Sequence, residues 1–116
     1  MTPASQPDVV FEGDSRVTIR DFPKEVRENF GGELHRVQDN ERPLDSSPMA
    51  PVLRGVFELR DEDKDFWYRV LYFKTEGVVY VLHCFKKKTN KTSQNDIKVA
   101  RERLRDLKAR LARRKK

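Results

Sequence analysis

The chain has 116 residues, a single cysteine and a formal net charge of +6. That length suits one domain around one core, and one cysteine excludes an intrachain disulfide framework, so neither disulfides nor a structural metal is required. No apolar run approaches the roughly 18 residues of a membrane span, and Met1 to Asp8 lacks the basic and apolar regions of a signal peptide; the expectation is a reduced, cytoplasmic protein.

Charged residues reach 38%, above the usual quarter, while 36% hydrophobic residues leave enough Val, Leu, Ile, Phe and Tyr for a core. The charge is unevenly placed. Residues 1–82 hold 11 Lys/Arg against 16 Asp/Glu, a balance of −5, and residues 83–116 hold 14 against 3, a balance of +11. A basic last third points to a polyanion, either nucleic acid or an acidic protein, or to a solvated face.

Residues 1–8 are polar with two prolines and read as a flexible tail. Val9 to Phe11 is a short β-rich run closed by Gly13, and residues 15–22 form a short helix. Pro23 fits the first turn of the next helix, where its missing N–H costs nothing. Val26, Phe30, Leu34 and Val37 recur at spacings of four, four and three, one apolar helical stripe. Gly31-Gly32 in its middle weakens or kinks it. Residues 40–51 hold three prolines and two serines and read as a loop.

The periodicity then changes. Residues 56–60 read as a strand, 61–65 as an acidic turn, and 66–73 as an aromatic strand. Residues 75–77 make a turn. Residues 78–85, nearly all apolar, form a central strand covered on both faces. Together these strands make an antiparallel meander. After a basic loop at 86–91, Ser93 and Asp96 have the form of a capping box. Ile97, Ala100, Leu104, Leu107 and Leu111 then mark the apolar face of a last helix otherwise rich in Arg and Lys. Residues 112–116 read as a basic tail. The fold class is α+β: an N-terminal strand and two helices packed on an antiparallel sheet meander, plus a basic C-terminal helix, with the helices on one face of the sheet and a single domain over 9–111.

No Ser-His-Asp or Cys-His signature, phosphate-binding Gly-rich loop or metal-ligand spacing is present, so no cofactor and no metal are expected. Arg69 stands among strand hydrophobes. It is either a structural partner of Glu58 on the neighbouring strand or a guanidinium that holds a phosphate bidentately. Lys86, Lys87, Lys88 and Lys91 are either a solvated run or ammonium groups that clamp RNA phosphates, with Lys87 pointing opposite to Lys86 and Lys88 while the strand lasts. Trp67, Tyr68 and Tyr72 can stack bases or fill the core. His83 is either a general base or a bonded core histidine, His35 on the amphipathic helix is solvent-exposed or structural, and Cys84 is a buried small hydrophobe.

Several stretches together carry a resemblance. They are Phe22-Pro23 with its helix to Gln38, Gly55 to Arg60, Trp67 to Tyr72, His83 to Thr89, Lys91-Thr92, and Ile97 through Ala100 to Arg103. In order and spacing they resemble the phage-derived HigB-like branch of the RelE/ParE toxin superfamily over roughly residues 9–107. The resemblance implies a RelE-like fold and a type II toxin–antitoxin toxin. It implies ribosome-dependent mRNA cleavage by attack of the RNA 2′-OH on the adjacent phosphate, with no metal. It also implies partners: a cognate antitoxin, expected to be a helix-turn-helix protein, and the ribosome with its mRNA; no membrane and no small-molecule cofactor are implied.

By position, Arg69 falls on the family's strand arginine at the scissile phosphate. Lys87, or a neighbour in its run, falls on the basic residue after the central strand, and Arg60 ends the preceding strand where basic residues also occur. Arg69, Lys87 and Arg60 are thus the candidate catalytic set, and Lys86, Lys88, Lys91, Trp67 and Tyr68 the candidate RNA-binding set. Family members that carry a Tyr or His in the last segment are not matched here, and Glu58 stands where such sites have a lysine, so general acid and base are unassigned. Two other readings stay open: a ParE-like gyrase-inhibiting toxin and a non-catalytic nucleic-acid or protein-binding member. The Lys run and Arg69 favour the nuclease.

Overall fold

The computed structural model describes residues 9–75 and 77–114; the expected tail at 1–8 lies outside them. The elements in chain order are β1 (Val9–Phe11), α1 (Ser15–Arg20), α2 (Lys24–Gln38), β2 (Ser46–Pro48), β3 (Val56–Glu62), β4 (Trp67–Thr75), β5 (Val78–Lys87) and α3 (Gln94–Arg114). They build one five-stranded sheet in the order β1-β5-β4-β3-β2. The expected meander is β3-β4-β5, antiparallel throughout, with β2 antiparallel on its outer edge. β1 adds to β5 in parallel, so the sheet is mixed. The α+β class stands.

Two expectations are corrected. The stretch 40–51 is not all loop, because Ser46–Pro48 pairs with Phe57 to Leu59 as an edge strand. Its proline tolerates an edge, where no further ladder bond is asked of it. The helices also do not share one face. The α2 stripe of Val26, Phe30, Leu34 and Val37 packs on Leu59, Tyr68, Val70, Val79, Val81 and Cys84. The α3 stripe of Ile97, Ala100, Leu104 and Leu107 packs on Val56, Leu71, Tyr80, Leu82 and Phe85 from the other side. β5 is apolar on both faces, and a sheet with two apolar faces must be covered twice.

α2 runs through Gly31 and Gly32 without a break. Pro23 stands at its N-cap, one position earlier than expected. At the start of α3 the Asp96 N–H donates to Ser93 Oγ at 3.1 Å, the first half of the expected capping box. The Ser93 hydroxyl donates to Asp96 Oδ2 at 2.7 Å. α3 continues to Arg114, three residues beyond the expected limit of the domain. Among the described residues no helix is long and apolar enough to cross a membrane.

One irregularity sets the direction of the functional side chains. Leu71 pairs with His83 but Tyr72 pairs with Val81, which leaves Leu82 as an extra residue in β5. This bulge lets Leu82 and His83 both face α3. Alternation resumes after it, so Cys84 faces α2 and Phe85 faces α3.

Candidate nucleic-acid interface

On the α3 side of the sheet, one end is apolar and the other is charged. Leu71 and Phe73 of β4 lie under α3, while Arg69 and Trp67 follow on the same face by strand alternation. The register brings neighbours beside them: Arg60 is opposite Arg69, and Lys87 is opposite Trp67. Arg60, Trp67, Arg69 and Lys87 thus share one face across three adjacent strands. A groove of about 620 Å³ opens at the β3 edge, with Glu33, Asp45, Arg60, Trp67, Arg69 and Asn90 among its walls.

Arg69 is only 5% exposed. Its Nη1 donates to the Tyr68 carbonyl at 2.9 Å, its Nη2 donates to the Asn90 side-chain oxygen, and its Nε lies 3.6 Å from Glu58 Oε2. Glu58 also accepts from Thr92 Oγ1 at 3.0 Å. The β5–α3 loop therefore closes over this ion pair at two points. Burial lowers the Arg69 pKa, Glu58 pulls it back up, and the Arg60 charge lowers it further. The guanidinium remains a cation in such a site, with its centre 5.7 Å from the Trp67 ring.

Arg60 reaches the other way, to Asp45 Oδ1, at 2.8 Å from Nη2 and 3.0 Å from Nε. Glu33 accepts from the backbone N–H groups of Leu44 and Asp45 at 3.1 and 3.0 Å and so fixes that wall to α2. Asp61 and Glu62 line the same groove, so its charge is mixed rather than uniformly basic.

Lys87 lies 2.9 Å from Asp96 Oδ2. His83 Nε2 lies 2.8 Å from the other oxygen, Oδ1. Burial alone would raise the Asp96 pKa, but hydrogen bonds from Lys87, Ser93 and His83 outweigh it and hold the carboxyl below its ordinary value. His83 stacks on Phe85 with centroids 5.1 Å apart, and its Nδ1 is buried without a hydrogen-bond partner. Those contacts fit the core-histidine alternative. Cys84 is buried, and burial pushes its thiol pKa up to about 12.

The lysine run divides as alternation requires. Lys86 and Lys88 sit over the Phe66 ring at 4.5 and 5.0 Å, on the side of the sheet opposite Lys87. Lys91 is exposed on the loop and pairs with no side chain among the described residues. Tyr68 corrects an expectation. It is 1% exposed, in edge contact with Phe22 at 5.0 Å, and presents no face to a base. Its hydroxyl donates to Asp63 Oδ2 at 2.7 Å; burial, then that bond, pushes its pKa up to about 12. Tyr72 is likewise core, stacked on Phe57. Trp67 is half-buried, and of the sheet aromatics offered for stacking it alone lines the groove.

Asn90, Asp45 and Thr92 were not legible as site residues. Each meets its partner across 15 to 34 positions of chain, and a lone Asn or Thr in a basic loop carries no local signal. Asp96 was legible as a helix-capping acid but not as the meeting point of Lys87 and His83. Among the described residues no group of three or more His, Cys, Asp or Glu converges in a metal-binding arrangement.

A comparison with protein families matches residues 18–105 to the family described as Phage derived protein Gp49-like (DUF891). The chain belongs to this family. The matched span of this Gp49-like chain contains α2, the β3-β4-β5 meander and the first half of α3, and with them every residue of the groove named above. No curated protein matches the chain, and no solved structure matches it.

Proposed function

We propose that this Gp49-like protein is the toxin of a type II toxin–antitoxin pair and that it cuts mRNA on the ribosome. The observation that carries this reading is the cationic and aromatic set of Arg60, Arg69, Trp67 and Lys87 on one sheet face beside the groove. The reaction is a transesterification. The ribose 2′-OH attacks the adjacent phosphorus and loses its proton, the P–O5′ bond breaks, and the 5′ oxygen takes up a proton, leaving a 2′,3′-cyclic phosphate. Such chemistry needs charge stabilisation at the non-bridging oxygens and correct alignment rather than a protein nucleophile.

In this mechanism Arg69 grips the phosphate bidentately once the phosphate replaces Asn90 on its Nη2, while Glu58 keeps the guanidinium plane fixed. Lys87 adds charge beside it, and Arg60 contacts a neighbouring phosphate at the groove wall. Trp67 stacks a base. Lys91, and Lys86 and Lys88 from the far side of the strand, lengthen the contact with the RNA backbone. The partners implied are a cognate antitoxin and the ribosome, in the cytoplasm.

A second reading rests on one observation: all three guanidinium nitrogens of Arg69 are already near partners inside the chain. That favours a binding-only toxin, such as a gyrase inhibitor, in which Arg69 is architectural. Induction of the wild type in a sensitive bacterial host, with mapping of mRNA 5′ ends, separates the two. Cuts inside translated frames that vanish when initiation is blocked establish the nuclease. Growth arrest with intact mRNA and a DNA-damage response overturns it in favour of the gyrase reading.

A further inference from the structure

Four acids line the groove beside Arg69: Glu33, Asp45, Asp61 and Glu62. Three of them are engaged within the chain. Glu33 accepts from the backbone N–H groups of Leu44 and Asp45, and Asp45 holds Arg60. Asp61 accepts from the Asn29 side chain at 3.0 Å and from the Glu62 N–H at 2.8 Å. Glu62 differs. It is exposed, and its carboxylate makes no hydrogen bond and no ion pair among the described residues. Arg69 feels it only as a more distant charge.

The sheet register fixes where that carboxylate stands. Glu62 is directly opposite Trp67 in the last β3–β4 pair before the turn at 63–66, and Lys87 is directly opposite Trp67 on its other side. Residues opposite each other in an antiparallel pair point to the same face, with Cβ atoms about 4.5–5.5 Å apart. One row across three strands therefore reads acid, indole, ammonium. The next row along this face carries Arg60 and Arg69, and the Arg69 guanidinium centre lies 5.7 Å from the indole. Trp67 thus has cations on the β5 side and along its own strand, and a free acid on the β3 side.

A free carboxylate among these cations weakens the hold on an RNA backbone, because it repels each phosphate that the cations attract. No contact inside the chain accounts for it. Beside an indole that stacks a base, it has a chemical role at the edge of that base. Single-stranded RNA is read by stacking on aromatic rings together with hydrogen bonds to the Watson–Crick edge. A carboxylate only accepts, and its two oxygens take two parallel donors. Guanine offers two such donors side by side, N1–H and the N2 amine. Cytosine and adenine set one amine beside a ring-nitrogen acceptor, and uracil sets N3–H between two carbonyls. Each of those three satisfies one carboxylate oxygen and turns a lone pair toward the other.

We infer that Glu62 selects an unpaired guanine of the RNA, which stacks on Trp67 with its Watson–Crick edge on the Glu62 carboxylate and its phosphates toward Arg69 and Lys87. This rests on the reading of Trp67 as a base platform and deepens it; it does not require that the protein cut the strand.

The test uses the full chain and five 2′-O-methyl RNA hexamers, which cannot be cut because the attacking hydroxyl is blocked. All are uridine except for one central position, which is guanine, inosine, adenine, cytosine or uracil. Binding is read twice, by anisotropy of the labelled hexamer and by the emission of Trp67. The wild type is expected to bind the guanine hexamer about tenfold or more tighter than the other four, inosine included, since inosine lacks the N2 amine. Glu62→Gln presents one acceptor and one donor in place of two acceptors, so the preference should fall below about threefold. Only the guanine hexamer should weaken; the others should bind equally or more tightly, because a repelling charge is gone. Asp65→Asn removes the same charge from the adjoining turn, outside the groove, and should keep the preference.

Hexamers that bind and quench Trp67 without a guanine preference overturn the assignment and leave the stacking role of Trp67 standing. So does a preference that survives Glu62→Gln. Binding with no change in Trp67 emission, or no binding, overturns the stacking role and the guanine assignment with it. Free GMP bound as tightly as the guanine hexamer overturns the assignment in favour of a free-nucleotide site.

Discussion

Arg60 and Arg69 stand directly opposite each other across β3 and β4, two like charges in one cross-strand pair. Such a pair is destabilising by itself. The chain accommodates it by drawing the two guanidinium groups apart, Arg60 to Asp45 at the rim and Arg69 to Glu58 within the sheet face. A phosphodiester placed between them would be attracted by both. That relationship makes the face a candidate anion site, and it also dictates how the site must be tested.

Removing Arg69 outright is a poor test. Arg69→Ala leaves the Glu58 carboxylate buried without its cation, at a cost of about 3–5 kcal/mol in fold stability. Arg69→Lys keeps the charge beside Glu58 but loses the planar fork that holds two phosphate oxygens. We expect mRNA cleavage by Arg69→Lys to fall by about 100-fold or more, with the protein still folded. Cleavage at the wild-type rate by a folded Arg69→Lys, read from mapped 5′ ends beside a thermal melt, would remove Arg69 from the chemistry.

Trp67 is the single tryptophan of the chain, and it lines the groove. Its fluorescence is therefore a direct reporter of that site. A single-stranded RNA oligonucleotide should quench it, and Trp67→Ala should weaken oligonucleotide binding by about 1–3 kcal/mol. An oligonucleotide that binds with no change in tryptophan emission would place the single strand elsewhere.

Asp96 links stability to pH. Its folded pKa lies below the ordinary carboxylate value because Lys87, Ser93 and His83 bond its charged form more strongly than burial opposes it. A depressed folded pKa contributes stability that is complete above the unfolded value of about 3.9 and is lost as pH falls through the lower folded value. Asp96→Asn should cost about 1–3 kcal/mol at neutral pH. It should also lose less stability than the wild type on going from pH 5 to pH 2. Urea midpoints at the two pH values give the answer, and parallel acid losses in both proteins would refute the linkage.

Gly31 and Gly32 are exposed in the middle of α2, and a Cβ at either position would meet nothing within 4 Å. Each glycine costs the helix about 0.5–1 kcal/mol relative to alanine. Gly31→Ala and Gly32→Ala should each raise the unfolding free energy by about that amount, read from urea denaturation, and leave cleavage unaltered. A loss of stability in either would mean that α2 needs those positions open.

The apolar periodicities of α2 and α3, the three long strands and the basic last third were all legible in the sequence, because helix and strand repeats are local properties of the chain. So was the division of the lysine run, since strand alternation alone sends Lys87 away from Lys86 and Lys88. The expectation that all helices share one face conflicted with the two-sided apolar character of β5, and packing resolved it by placing α3 opposite α2. The bulge at Leu82, which aims His83 and Lys87 at Asp96, follows no local pattern.

The same division runs through the site. The sequence by itself determined that Arg69 lies in a strand of hydrophobic residues and needs an anion, and it named Glu58 as one candidate. Only the tertiary structure decided that Tyr68 is core while Trp67 lines the groove, and that Asn90 and Thr92 fold back over the Arg69–Glu58 pair. Local spacing fixes which face of its own element a residue occupies. Which partner it meets there depends on the register of strands and the path of loops far away in the chain, and those are settled by the joint burial of both sheet faces.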